Sequence, residues 1–379
     1  MREFKPLKPS VFQFSFAELT AFFEEKGMAK FRAKQLWNWL YVHGQCAFNQ
    51  MSNLPGSLKV FLENNFSCET PRLAKELTSN DGTKKWLFEG PDGKRFEAVF
   101  IPERSRGTLC VSSQIGCFVG CKFCRTGSQG FERNLSADEV LGQVLFAKTL
   151  LGDWPTNPQN RKINNLVFMG MGEPLFNYEN LCKAVNILTC KSGLEFSRHD
   201  ITVSTSGITD KILPLARDTG VNLAVSLHAV SEEKRSVLIP INKTYKLSEL
   251  FATVKKYPEM SKTDRVTFEY VMLEDINDSE DDARLFAQVI KGIRAKINLI
   301  PFNAWDGSEL KSSCQEAIER FALILRKAGY ICTIRNSRGQ DIMAACGQLK
   351  TSKRFLKLDQ LQLDSVEKAV DKSNCGRSI

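Results

Sequence analysis

The chain reads as an α/β protein whose larger part is a partial parallel barrel of six strand–helix repeats, preceded by a small helical module and a short β-sheet extension. Three observations predict this. First, from about residue 105 six apolar segments, "TLCVSS", "INNLVFMG", "HDITVST", "VNLAVSLH", "RVTFEYVML" and "AKINLIPFN", alternate with helical stretches such as "SADEVLGQVLFAKTLLG" and "SEDDARLFAQVIKGI". Second, these segments are apolar almost throughout, as strands covered on both faces by crossover helices must be. Third, several are followed by polar or Gly-rich ends, "SSQIGC", "MGMGEP", "STSG", "SLHA" and "PFNAW". In parallel α/β folds the chemistry collects at those C-terminal strand ends.

Taken in order, the chain opens with helices. Ser15 and Glu18 form a capping-box pattern for a helix that Gly27 can end, and Ala33, Leu36, Trp37, Leu40 and Tyr41 then recur at helical spacing up to Gly44. That stripe is first of all the apolar face of the module's own core; Lys30, Arg32 and Lys34 beside it make RNA contact conceivable. Next, "NDG" and "PDG" separate "RLAKELT", "KKWLFEG" and "RFEAVFIP", a small antiparallel sheet with tight turns. The barrel repeats follow, with a last strand near "YICTIRNSRG", then "QDIMAACGQL" and a charged tail. The expected organisation is 1–70 helical accessory module, 71–104 sheet extension, 105–349 barrel and 350–379 tail.

Composition bounds the function. With 379 residues and 42% hydrophobic content the chain can bury one large core and a smaller module. No run approaches the roughly 18 apolar residues of a spanning helix, and "MREFKPLKPS" has no apolar stretch suited to export, so a cytoplasmic protein without a membrane partner is expected. There thiols stay reduced, and twelve cysteines point to metal or redox chemistry and not to a disulfide scaffold. The formal charge of +9 is compatible with a polyanionic partner.

Cys117, Cys121 and Cys124, spaced C-x₃-C-x₂-C after the first barrel strand, are the sharpest local signal. Structural zinc usually takes four ligands, often as two C-x₂-C knuckles, and the second knuckle is missing here. Three thiolates from one loop suit a [4Fe–4S] cluster with one iron left open. By residue pattern alone the other candidates keep plain readings. Cys110 can be a buried cysteine on the strand face shared with Thr108 and Ser112; Glu97, alternating with Arg95, Val99 and Ile101, can be a solvated glutamate paired with Arg95; His228 can be a satisfied core histidine.

The cluster spacing at the start of a βα barrel resembles the radical S-adenosylmethionine (SAM) superfamily. The motifs "SSQIGC", "TGSQGFERNL", "MGMGEPL", "VSTSG", "SLHA", "LIPFN" and "RGQDIMAACGQL", in this order and spacing, resemble its RlmN/Cfr family over nearly the whole chain up to about Leu349. The resemblance implies a partial (β/α)6 TIM-like radical SAM barrel and methylation of adenosine C2 in 23S rRNA and in tRNA. It implies cofactors, a [4Fe–4S] cluster on Cys117, Cys121 and Cys124, and SAM held by Gly170, Gly172, Glu173, Ser204, Ser226, Leu227, His228 and Asn303. Cys346 would accept a methyl group from one SAM, a second SAM would yield the radical that activates that methyl for addition to C2, Cys110 would attack the Cys346 sulfur to release product, and Glu97 would take the C2 proton. Arg125, Arg335, Arg338 and Lys350 are the expected RNA contacts, on an unpaired or flipped adenine. A reductant such as flavodoxin and a monomeric state complete the expectation. "CFVGCKFC" is closer to the Cfr branch, so C8 methylation stands as an alternative, as do a radical SAM enzyme with another substrate and a non-catalytic RNA-binding protein with structural zinc.

Overall fold

The computed structural model describes residues 8–103 and 106–351; the predicted charged tail lies, from residue 352 on, outside the described residues. The helical module comprises α1 (Phe16–Glu25), α2 (Lys30–Tyr41) and α3 (Gly56–Asn65). The capping box forms as its sequence requires, with the Ser15 N–H donating to Glu18 Oε2 at 2.7 Å and the Glu18 N–H to Ser15 Oγ at 3.3 Å. The Ala33/Leu36/Trp37/Leu40/Tyr41 stripe is buried, Phe16 and Phe12 meeting Trp37 and Tyr41 edge-on. The module is seated on the barrel: the Thr156 N–H donates to Val42 O and its hydroxyl to Tyr41 O, while Trp37 abuts Gly193, where a Cβ would come within 2.6 Å of the indole nitrogen.

β1 (Arg72–Thr78), β2 (Lys84–Glu89) and β3 (Arg95–Pro102) are antiparallel. They are not a sheet of their own as the turns alone suggest, because β3 pairs with β4 (Gly107–Cys110), the first barrel strand. From β4 the neighbours are parallel: β7 (Asn165–Phe168), β8 (Ile201–Thr205), β9 (Asn222–Ser226), β10 (Val266–Met272), β11 (Ala295–Pro301) and β12 (Ile331–Ile334). Among the described residues one ten-stranded sheet therefore runs β1-β2-β3-β4-β7-β8-β9-β10-β11-β12. The six expected strands and the last one after them are all present. Between β4 and β7 the chain forms a separate two-stranded ribbon, β5 (Gln114–Gly116) with β6 (Phe131–Asn134), around α4 (Arg125–Gln129), then α5 (Ala137–Leu150).

Helices α6 (Tyr178–Leu188), α7 (Thr209–Thr219), α8 (Glu232–Leu238), α9 (Leu247–Val254), α10 (Tyr257–Ser261), α11 (Glu280–Val289) and α12 (Gln315–Lys327) provide the remaining connections. Phe268 and Tyr270 of β10 pack outward against Phe286 and Phe321, ring centroids 5.3–6.0 Å apart. Each fully buried aromatic contributes about 1.5–3 kcal/mol. Strand alternation then turns Thr267 and Glu269 into the barrel. The interior is polar: Glu269 Oε1 accepts from Asn298 Nδ2 at 2.8 Å, and Thr333 Oγ1 donates to Asn298 Oδ1 at 2.6 Å, across register-matched strands.

Beyond β12 the chain crosses back over the barrel mouth. Its Gly339 N–H reaches Asp81 at 3.0 Å, Asp341 accepts from Ser79 Oγ at 2.6 Å, Met343 O accepts from Lys85 Nζ at 3.1 Å, and the Lys350 N–H donates to Glu97 Oε2 at 3.0 Å. The returning segment thus joins both ends of the sheet.

Candidate functional site

The three clustered cysteines occupy the loop between β5 and α4. Gly116 enters it at φ +73°, and a Cβ there would lie 1.7 Å from Gly130 O, so the ribbon closes only around glycine. The loop folds over on itself, the Cys124 N–H donating to Cys121 O at 3.1 Å, and its side chains sit among Val119, Phe123, Ala229 and Leu238. Burial pushes the Cys117 thiol up to about 12 and raises Cys121 and Cys124; Cys121 is raised further by the neighbouring Cys124 and Cys117. Three thiols crowded into an apolar hollow are poorly placed as free thiolates and well suited as ligands of a cationic cluster. Among the described residues no three His, Cys, Asp or Glu side chains converge as ligands of a single ion would. A [4Fe–4S] cube needs no such convergence, since each thiolate binds a different iron, and the donor set fits it.

Around this loop stand the strand ends. Gly170 and Gly172 are required by the packing of one strand end against the next: a Cβ on Gly170 would meet Ser112 Oγ and Val111 O at 2.7 Å, and Gly172, at φ +100°, would meet Gln114 at 2.5 Å. Glu173 is buried, with burial raising its carboxyl, and it accepts from the Ser206 N–H at 2.7 Å, Ser206 Oγ at 2.8 Å and the Leu175 N–H at 3.1 Å. Ser204 and Ser226 face each other, Oγ to Oγ 3.4 Å. Leu227 is wholly buried, its N–H donating to Glu269 O at 3.0 Å and its carbonyl accepting from the Ala229 N–H at 2.7 Å.

His228 sits in the left-handed region at φ +56°. Its Nδ1 accepts from the Val271 N–H at 2.9 Å, its ring meets Phe123 edge-on, and burial, aided by Arg235, lowers it to about 3. It is neutral, with Nε2 carrying the proton. Asn303 holds the Cys346 loop: Nδ2 donates to Cys346 O at 3.2 Å while Oδ1 accepts from Gln340 at 2.9 Å. Its amide is engaged within the protein.

The catalytic candidates come from opposite ends of the chain. Cys110 ends β4, buried on the interior face; its thiol is pushed up to about 12 by burial and by Cys346, against the opposing charge of Arg335. Cys346 is solvent-accessible in the mouth of the barrel, its thiol also raised by surrounding protein and held back by the same Arg335. The two sulfurs therefore share one electrostatic environment. Glu97 is buried and not solvated, and Arg95 Nε bonds Glu89 at 3.0 Å. It is buried on β3, Oε1 lying 3.2 Å from Lys85 Nζ, its carboxyl raised by burial against the charges of Lys85 and Arg125.

Of the expected RNA contacts, Arg125 donates to Gln348 O at 3.5 Å beside the cluster loop, the Lys350 N–H bonds Glu97 while its Nζ lies 3.5 Å from Ser128 Oγ, and Arg338 lies 3.9 Å from Asp81. Several working residues carry no local sequence signal. Arg235, fully buried, donates to the carbonyls of Ser206, Ser226 and Leu227 at 2.6–3.2 Å and ties the ends of β8 and β9 together. Glu269 and Lys85 were legible only as charges inside apolar or mixed strands, which is itself an anomaly worth pursuing in a barrel strand.

Comparison with known proteins agrees with this geometry. Residues 10–67 match the family of ribosomal RNA large subunit methyltransferase N-terminal domains, and residues 111–287 match the radical SAM superfamily. The chain is 46% identical over 378 residues to the dual-specificity RNA methyltransferase RlmN of Rhizobium leguminosarum bv. trifolii, covering 95% of this chain and 93% of that protein. It is 49% identical over 352 residues to the protein of the same name from Bartonella bacilliformis, covering 89% and 85%. Among solved structures, a radical SAM methyltransferase from Sphaerobacter thermophilus superposes with a TM-score of 0.84 at 40% identity, over 90% of this chain and 99% of that one.

Proposed function

The chain belongs to the RlmN family of radical SAM RNA methyltransferases, and from that premise we propose that it methylates C2 of adenosine in 23S rRNA and in tRNA through a methylated Cys346. C2 is an electron-poor sp² carbon that cannot displace a methyl group from SAM; a [4Fe–4S] cluster held by Cys117, Cys121 and Cys124, with SAM at the ends of β7, β8, β9 and β11, would supply the one-electron chemistry this carbon requires and would accept the single electron left over once the carbon has added to C2. The chain's own residues perform the rest. Cys346, accessible in the mouth, carries the methyl carbon to the base. Once that carbon bridges sulfur and C2, attack by the Cys110 sulfur on the Cys346 sulfur breaks the carbon–sulfur bond. The bond's electron pair passes to the bridging carbon, which becomes the methyl group on protonation. Glu97 accepts the C2 proton, and the two sulfurs are left as a disulfide that a two-electron reduction reopens.

The observation that carries the reading is that Cys110 shares one face of the β3–β4 ladder with Glu97, while the Cys346 loop is tied to Glu97 by the Lys350 N–H at 3.0 Å; the charge of Cys346 raises the Cys110 thiol and Arg335 opposes the rise at both cysteines. The reading further takes residues 1–70 as an RNA-binding module, residues 71–104 as a sheet extension and 105–349 as the catalytic barrel. It takes the RNA to be gripped near Arg125, Arg335 and Lys350, the electron donor to be of the flavodoxin type, and the protein to act as a cytoplasmic monomer. Among the described residues no helix is long and apolar enough to cross a membrane. Anaerobic incubation of the reconstituted protein with SAM, a reductant and ribosomal RNA or tRNA fragments, followed by nucleoside mass spectrometry, should yield 2-methyladenosine. An 8-methyladenosine product would move the chain to the C8 alternative, and unmodified RNA would overturn the proposal.

A further inference from the structure

Glu97 does not stand alone. Lys85 lies opposite Val99 in the β2–β3 ladder, so it shares the interior face with Glu97 and sits diagonally across from it. Both are buried, at 7% and 5% exposure, with Lys85 Nζ 3.2 Å from Glu97 Oε1. A buried ion pair is weak evidence for stability, because well-packed apolar residues would serve as well. Its other contacts indicate a different use. Lys85 Nζ also donates to Met343 O at 3.1 Å, three residues before Cys346, while Glu97 Oε2 accepts the Lys350 N–H at 3.0 Å, four residues after it. The pair therefore brackets the Cys346 loop on both sides.

We propose that Lys85 is a positioning residue for the proton-removal step, its ammonium fixing the Glu97 carboxylate and the Cys346 loop to one another. The inference rests on the reading of Glu97 as the base. Lys85 touches neither thiol and acts through Glu97. The charged groups around that carboxylate are Lys85 on β2, Lys75 on β1, Arg95 on its own strand, Arg125 on α4 and Lys350 on the returning segment, all cationic. Burial raises the Glu97 carboxyl, and Lys85 is foremost among the groups that oppose the rise. Removing Lys85 leaves more of the carboxyl protonated at neutral pH, and a protonated carboxyl cannot take the C2 proton. The acidic limb of the release step must then move to higher pH.

The test follows single-turnover release of the Cys346–RNA adduct on denaturing gels across pH, in full-length reconstituted protein. Lys85→Met should load iron as the wild type does, accumulate adduct at neutral pH, and slow release there by about tenfold for each pH unit through which the acidic limb moves. Release should recover as the pH is raised, and Lys85→Arg should restore most of it. Glu97→Gln should accumulate adduct at every pH and release it only slowly, at a measurable rate that has lost the acidic limb. A wild-type pH profile in Lys85→Met overturns the role of Lys85. No adduct in Glu97→Gln overturns the reading of Glu97 instead, so the two failures are distinct. Should Lys85→Met fold poorly because Glu97 is left buried and uncompensated, Lys85→Met/Glu97→Gln carries the test. It should be no slower in release than Glu97→Gln alone, and additional slowing would show that Lys85 acts independently of Glu97.

Discussion

In the proposed reaction two thiols and a carboxylate divide the work at the residue scale, and each is distinguishable by what its removal leaves behind. Cys110 is buried and its thiol is pushed up to about 12, so the proposed attack requires its deprotonation within the site, beside Arg335. If Cys110 merely packed β4, Cys110→Ala would cost on the order of 1 kcal/mol of stability and leave turnover proportionate. As the resolving thiol, its loss should leave iron content and Cys346 methylation intact and trap a covalent protein–RNA adduct that Cys346→Ala never forms. Normal multiple turnover by Cys110→Ala, with no adduct on a denaturing gel, contradicts the assignment. Glu97 belongs to the same scale: its pattern on β3 allowed a solvated partner of Arg95, and only burial against Lys85 distinguishes a base from a surface glutamate.

Among the elements, the β5–β6 ribbon decides whether the three cysteines can be presented together. Its pairing shifts register between Ile115 and Gly116, and Gly116 takes a positive φ against Gly130 O. Gly116→Ala would add a left-handed strain of roughly 1–2 kcal/mol and a backbone clash. The expected outcome is a protein whose far-UV circular dichroism is that of the intact barrel but whose reconstituted iron content falls well below wild type. Wild-type iron loading in that variant would show that the loop tolerates a different entry. Arg235 acts at the same scale, since one guanidinium holds three carbonyls at the ends of β8 and β9 where Ser206, Ser226 and Leu227 stand.

The whole molecule is held as one unit at two seams. One is the returning segment, which spans from β12 back to β2 and β3. The other is the seat of the helical module, where Trp37 lies against Gly193. Gly193→Val should overpack that seam and lower stability by about 1–3 kcal/mol, read as a drop in Tm. If the module shares the RNA load, affinity for ribosomal RNA fragments should fall with it while iron content holds. A lowered Tm with unchanged affinity would assign RNA binding to the barrel mouth alone.

Local pattern determined a good deal by itself. The capping box at Ser15, the Trp37 stripe and the six apolar strands were legible because helix and strand periods are written in neighbouring residues. Cys117, Cys121 and Cys124 were legible as a motif because all three lie within one loop. What the tertiary structure alone decided are pairings between residues distant in sequence: Glu97 with Lys350, Lys85 with Met343, Asn303 with the Cys346 carbonyl, and the placement of Cys346 where its charge raises the Cys110 thiol. It also gave Gly170 and Gly172 a packing reason that the sequence did not show, since a Cβ on either would meet Ser112 or Gln114. Periodicity states which face a side chain takes, not which distant segment comes to lie on that face; here the path of residues 335–351 across the barrel mouth settles it, and with it the surroundings of both thiols and the base.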